Sequence, residues 1–481
     1  MRNIVLVGAG GTGMSGVAGI LHDLGYTNII AIDSVESQLT QRLRDKGIKT
    51  IIGHGKYKVL RGDIIIYSEA TRESVEVLEA RAVMKAKKMP MIILNYFEFL
   101  GEVSKNFISV GITGTNGKSS TTALAIATAK KVLPDFGLGI LGALVPDLDN
   151  NSYYINPKVK TKIKTIFDFM LNQKRSHELQ HDAYKLIKKY YFLVESCEYK
   201  RHFLHLDLDY AIITNMELDH TDYYKDFADY TSAFQQFADK VKNTIFIPKG
   251  FHNLSNGKWK MENGKFKEVN IQKISFKKVR GKHNDINGSL VLALLKKIGN
   301  FQSFIINPPL LNFKGLRRRM ELLGKNKNGA NIYSDYGHMA SSITVGYKGL
   351  KEKFPKQKLI CIFQPHQIHR IVTGRNDFIA SMKGYDEVVI YDIYAARENL
   401  LELVKEVPEL KGIKTLKELG NKFASACGGT YIDTFETITK KINEAKKGEI
   451  VVIYSAGDID FLVRKNSSVI SNEREKSTKH K

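Results

Sequence analysis

Residues 113–119 read Thr-Gly-Thr-Asn-Gly-Lys-Ser. Glycines at 114 and 117 let a backbone approach phosphate oxygens. Lys118 has the charge for the β- and γ-phosphates, and the Ser119 hydroxyl suits Mg²⁺. The strict phosphate-loop pattern needs glycine at 112, where Ile112 stands, so the loop is a variant. Gly114, Thr115, Asn116, Gly117, Lys118 and Ser119 are therefore candidate ATP contacts. The alternative is a glycine-rich turn with a chance lysine. A strand before it (107–112) and a helix-like stretch from Thr121 supply the context that the phosphate reading requires. Acidic and imidazole groups follow two later apolar strands, in Glu195-Ser-Cys-Glu-Tyr199 and Asn215-Met-Glu-Leu-Asp-His-Thr-Asp222. Glu195 and His220 join Ser119 as candidate metal ligands. A carboxylate and a γ-phosphate repel each other, and a divalent ion with Lys118 would neutralise that repulsion. Taken singly, each is more often a surface carboxylate or a satisfied histidine.

Gly8, Gly10 and Gly13 give G-x-G-x-x-G after the apolar strand Ile4–Val7. Amides at a helix N-terminus can hold a diphosphate. Asp33, ending the next strand, is placed for a ribose or pyrimidine edge. This pattern fits a nicotinamide dehydrogenase as readily as a UDP-sugar binder. The second nucleotide turn, and no recognisable hydride-transfer site, tilt it toward a UDP-linked substrate. Asp335 and His338 stand at a third strand end, and His366 with Arg370 forms a cluster after Leu359–Phe363. Arg318 lies in Arg317-Arg-Arg319. Such a run is usually a solvated charge patch, and here it can also supply a hinge arginine that reaches ATP.

These residues need elements to hold them. β-branched runs at Ile29–Ile32, Ile64–Tyr67, Tyr191–Val194, Ala211–Thr214, Val388–Tyr391 and Ile450–Tyr454 alternate with helix-like stretches. That alternation specifies α/β architecture with parallel sheets, whose ligands sit beyond the carboxyl ends of the strands. The 481 residues suit three domains at about 100–200 residues each. The expected divisions are 1–105 (Rossmann-like), 106–313 (a phosphate-loop ATPase-like parallel sheet) and 314–481 (Rossmann-like). The net charge of +23 is spread along the chain, which reads as a lysine-rich solvated surface and not a nucleic-acid groove. Cys197, Cys361 and Cys427 have no disulfide or CxxC spacing, as expected of a reducing cytoplasm. No run reaches a membrane span, and the glycines of residues 1–21 make a poor signal-peptide core. Residues 156–189 form a lysine-rich, helix-like elaboration, and 472–481 a polar tail.

The order of motifs resembles the Mur ligase family, in its alanine-adding branch, over nearly the whole chain. The residues that carry it are 10–16, 113–119, 195–199, 215–220, His-Asn-Asp-Ile-Asn (283–287), Phe-Lys-Gly-Leu-Arg-Arg-Arg-Met-Glu (313–321), Asp-Tyr-Gly-His (335–338), Phe-Gln-Pro-His (363–366), 392–398 and Ala-Gly-Asp-Ile (456–459). The resemblance implies an ATP-dependent ligase of peptidoglycan precursor synthesis. It would join L-alanine to the lactyl carboxylate of UDP-N-acetylmuramate through an acyl phosphate, as a monomer or homodimer. Gly8, Gly10, Gly11, Thr12, Gly13, Met14, Asp33 and His366 would bind the UDP-sugar. His283, Asn284 and Asn287 would lie around adenine, and Arg318 and Asp335 would contact ATP. Lys118, Glu195, His220, His338 and Arg370 would be catalytic. A relative that attaches a whole peptide is the alternative, against which residues 392–398 speak. Phe234 stands where several relatives carry a carbamylated lysine, which also favours the alanine-adding branch. Asn116, Cys197, Met339-Ala340, Gln367 and Tyr96 depart from the branch's usual residues.

Overall fold

The computed structural model describes residues 2–86, 91–171, 187–220, 223–251, 264–279, 281–395, 398–466 and 469. Thr221, Asp222, Ala396, Arg397, residues 172–186 of the lysine-rich segment and the polar tail lie outside the described residues. The chain forms two compact units, Met1–Leu316 and Arg317–Lys481. Three sheets give a three-domain α/β architecture, two sheets in the first unit and one in the second.

The first sheet holds β1 (Ile4–Val7), β2 (Ile29–Asp33), β3 (Lys49–Ile52), β4 (Ile64–Tyr67) and β5 (Ile92–Asn95). Their order is β3-β2-β1-β4-β5, all parallel. Val5, Leu6, Ile65 and Ile66 are fully buried, because helices cover both faces and leave no polar side to alternate. Burying one such side chain stabilises by up to about 1.5–3 kcal/mol. The strand order reverses beside β1, so the crevice for a ligand opens where the Gly8 turn begins.

The second sheet holds β6 (Ile108–Thr113), β7 (Phe136–Val145), β8 (Asn151–Ile155), β9 (Tyr191–Glu195), β10 (Tyr210–Ile213), β11 (Thr244–Pro248) and β12 (Phe266–Val269). The order is β12-β11-β10-β6-β9-β7-β8, parallel except for the β7–β8 hairpin. β6 is thus flanked by β9 and β10, and the three motif-bearing strand ends share one edge. The helix Thr12–Asp23 joins the two sheets. A Cβ at Gly16 would stand 2.7 Å from Ser152 Oγ, and one at Gly19 would overlap the Tyr153 ring. These glycines therefore lie inside a helix as close-packing positions.

The second unit holds β13 (Glu321–Lys325), β14 (Asn331–Asp335), β15 (Leu359–Gln364), β16 (Glu387–Tyr391), β17 (Thr430–Ile432) and β18 (Ile450–Ser455). The order is β13-β14-β18-β15-β16-β17, with only β13–β14 antiparallel. No helix among the described residues is long and apolar enough to cross a membrane.

Candidate functional site

Beyond Thr113 the chain turns through Gly114 and enters the helix Lys118–Val132 at Gly117, whose φ of 85° is left-handed. Gly114 also lacks room for a side chain: its Cβ would overlap Thr214 Oγ1. The loop is laced to the segment after β10. Asn116 N donates to Asn215 Oδ1 (2.8 Å), and Thr214 Oγ1 donates to Asn116 O (2.6 Å). Thr115 Oγ1 bonds Glu217 O (2.7 Å) and Tyr230 Oη (2.8 Å). Thr115 thus braces the loop with its hydroxyl, and its N–H donates to Asn215 O (3.4 Å). Asn287 reaches the loop as well, its Oδ1 lying 3.2 Å from the position of a Gly117 Cβ. His283 and Asn284 open the same helix and bond each other at 3.0 Å.

Lys118 points into the loop. Its ammonium donates to Gly114 O (2.7 Å), Thr115 O (3.0 Å) and Glu198 Oε1 (2.8 Å). Ser119 Oγ donates to Glu195 Oε1 (2.6 Å), and Gly142 N donates to Glu195 Oε2 (2.6 Å). His220, with φ 56°, keeps Nε2 3.6 Å from Glu198 Oε1. Ligand atoms of Glu198, Asp219 and His220 all lie within 4.8 Å of one another. The structure places the expected metal ligands Ser119, Glu195 and His220 in two groups. Ser119 pairs with Glu195, while His220 belongs with Glu198 and Asp219. Glu198 is the residue the sequence reading left without a role. Its signal was the second acid of Glu195-Ser-Cys-Glu198, three residues on in an irregular segment.

Glu198 is fully buried, and its Oε2 has no hydrogen-bond partner. An orphaned carboxylate oxygen beside an imidazole and a second carboxylate fits a divalent cation with oxygen and nitrogen ligands. Burial disfavours the Glu198 charge, but attraction to Lys118 and the bond from His220 outweigh it and hold its pKa below the usual range. Burial likewise opposes the Lys118 charge, and Glu198 reverses that, raising its pKa. Burial and then Glu198 push the Cys197 thiol up to about 12, so it is a neutral neighbour at pH 7. Phe234 is a buried core ring among Phe203 and Tyr230, with no cationic group at that place.

At the first turn, Gly11 caps the helix Thr12–Asp23 without a side-chain bond. The first-turn amides of Thr12, Gly13 and Met14 therefore have no capping side chain. The left-handed Gly8 begins the turn. Two of the expected contact residues have these surroundings. Asp33 Oδ2 accepts from Gly10 N (2.7 Å), so this carboxylate braces the glycine turn. Met14 is 3% exposed in the core, which leaves only its backbone for a ligand.

In the second unit, Asp335 accepts from Gly337 N (2.7 Å) and Met320 N (2.8 Å), and burial raises its pKa. Arg318, at φ 56°, donates to Ser455 O and lies 4.9 Å over the Tyr336 ring. His338 and His366 have ring centroids 5.9 Å apart. Burial, then Arg370, pushes His338 down to about 3 and lowers His366. Two neutral imidazoles beside fixed guanidinium charge suit an anion such as a carboxylate. His366 stands with this cluster at the end of β15, with its Nδ1 buried and unpartnered.

Comparison with known proteins agrees with the geometry along the chain. Residues 3–108 match the Mur ligase family, catalytic domain; 112–331 the Mur ligase middle domain; and 318–457 the Mur ligase, glutamate ligase domain. A UDP-N-acetylmuramate–L-alanine ligase of Caldicellulosiruptor bescii is 30% identical, over 96% of this chain and 97% of its own. The crystal structure of UDP-N-acetylmuramate–alanine ligase from Thermotoga maritima shares the fold with a TM-score of 0.70. Its identity is 21%, over 99% of this chain and 100% of its own. A murein peptide ligase from Psychrobacter arcticus gives 0.62 at 19% identity, over 96% and 97%. Three domain matches in family order, on a chain whose phosphate turn, acidic cluster and glycine turn occupy the strand ends, show that it belongs to the Mur ligase family.

Proposed function

We propose that the protein is an ATP-dependent ligase that joins L-alanine to the lactyl carboxylate of UDP-N-acetylmuramate in peptidoglycan precursor synthesis. The observation that carries the chemistry is the buried Lys118–Glu198 pair beside the Ser119–Glu195 pair. A phosphate entering the loop offers Lys118 a replacement for Glu198, and the released carboxylate faces Asp219 and His220. Mg²⁺ bound among Ser119, Glu195, Glu198 and His220 would supply the charge that lets two anions approach. The Gly114–Ser119 loop cradles the ATP phosphates, with Asn287, His283 and Asn284 toward the adenine. First-turn amides from Gly11 to Met14 hold the UDP diphosphate, and Asp33 keeps Gly10 in place. Lys118 stabilises the γ-phosphoryl group as it passes to the carboxylate. The amino group of alanine then attacks the acyl phosphate, and phosphate leaves. In the second unit, His338, His366 and Arg370 receive the amino-acid carboxylate, beside Arg318 and Asp335. The three free cysteines suit a cytoplasmic site of action.

The test is phosphate release by purified protein with ATP, MgCl₂, UDP-N-acetylmuramate and one amino acid at a time. Release with alanine is expected. Release only with an Ala-Glu-containing peptide, or with no added acceptor change, overturns the assignment. Glu195→Ala should raise the Mg²⁺ concentration needed for half-maximal rate, and an unchanged requirement removes Glu195 from the metal.

A further inference from the structure

Tyr96 stands between the two binding elements of the first unit. It opens the helix Tyr96–Lys105, whose start is fixed by a reciprocal cap. Asn95 Oδ1 accepts from Phe97 N and Glu98 N (both 2.9 Å), and Asn95 N donates to Glu98 Oε2 (2.7 Å). Phe97 packs edge-on against the Tyr96 ring at 4.9 Å and stacks on His202 at 4.1 Å, so the phenol is held from behind. Its ring lies on the glycine turn: a Cβ at Gly13 would stand 2.8 Å from both Cζ and Oη. The Glu195 carboxylate of the central site lies near enough for its charge to act on the hydroxyl. Burial first, and then Glu195, raise its pKa, so the hydroxyl stays protonated and able to donate. Among the described residues the hydroxyl makes no hydrogen bond to protein. The hydroxyl of this partly buried tyrosine is therefore free to donate to a ligand.

We propose that Tyr96 contacts the sugar acid, donating a hydrogen bond to the portion between the diphosphate at the glycine turn and the carboxylate beside Lys118. This rests on the function proposed above. A molecule that spans from Gly13 to Glu195 passes this hydroxyl. UDP alone ends before it. Tyr96 therefore distinguishes the acidic UDP-sugar from UDP, and it does so without touching ATP.

The test is calorimetric titration of UDP and of UDP-N-acetylmuramate into the full-length protein and its Tyr96→Phe variant. The variant should bind UDP-N-acetylmuramate ~3–10-fold more weakly, the effect of one lost hydrogen bond, with UDP affinity kept within about twofold. In turnover, KM for the sugar acid should rise while KM for ATP stays unchanged. Equal affinities of the two proteins for UDP-N-acetylmuramate, or an equal loss for UDP, overturn the assignment of Tyr96 alone. Failure of the unaltered protein to bind UDP-N-acetylmuramate overturns the proposed function along with it.

Discussion

Replacing Glu198 with glutamine tests the buried ion pair directly. The change keeps the side chain's shape and removes the charge opposite Lys118, whose side chain is 16% exposed against 0% for Glu198. Leaving one member of a buried pair uncompensated costs about 3–5 kcal/mol. Lys118 keeps two carbonyl acceptors, Gly114 O and Thr115 O, so the lower end of about 3 kcal/mol is expected. At roughly 2–4 °C per kcal/mol, that is a fall of roughly 6–12 °C in the Tm of the unliganded protein. The pH dependence follows from the two shifts. Glu198 has a lowered pKa, so its contribution is present above the unfolded carboxylate range and is lost as pH falls through the folded value. Lys118 has a raised pKa, so its contribution is present below the unfolded lysine value and is lost as pH rises through the folded one. The deficit of the variant should thus hold steady from pH 6 to 9 and shrink in acid. ATP with EDTA should stabilise Glu198→Gln more than the unaltered chain, because the phosphates supply the missing negative charge. Differential scanning fluorimetry across pH, with and without ATP, reads all of this. A variant as stable as the unaltered protein at pH 7, or a deficit that persists unchanged at pH 3, would refute the reasoning.

Lys118→Ala should lower the rate of phosphate release by at least about 10²–10³-fold, the usual effect of losing one stabilising donor, while calorimetric binding of UDP-N-acetylmuramate is retained. His202 is 5% exposed and pushed down to about 4, first by burial and then by His205 and Lys200. The unfolded chain takes up that proton first, so stability should fall as pH drops from about 6.5 toward 4. His202→Phe keeps a ring against Phe97 and should flatten that slope in Tm-versus-pH measurements. Gly19→Ala places a methyl group 2.6 Å from Tyr153 Cζ and should cost about 1–3 kcal/mol in urea unfolding.

The strands were legible because buried parallel strands are unbroken apolar runs. Ile4–Val7 and Ile64–Tyr67 match the structure end to end, and Ile108–Thr113 shifts by one residue from the expected 107–112. Lys118 was legible because its chemistry is local, with glycines and helix start all within a few residues. Its counter-charge was not, since Glu198 lies 80 residues away and only the pairing of β6 with β9 brings it near. The same limit explains Asp33. A carboxylate at a strand end reads as a ligand contact, and only the fold shows that it also holds an amide, Gly10 N. The packing role of Gly16 and Gly19 was hidden for another reason: a local pattern cannot reveal that Ser152 and Tyr153 will press on a helix from a distant hairpin.

Chain order has a consequence for how this protein is made. All five strands of the first sheet lie within residues 4–95, whereas β6 waits for neighbours at 191–195 and 210–213. A ribosome therefore releases one complete sheet well before the next can close around its middle strand. Through that interval Lys118 is a hydrated cation whose partner has yet to be translated. A nascent chain halted ahead of residue 191 owns the glycine turn in full and lacks both strands that flank the phosphate turn.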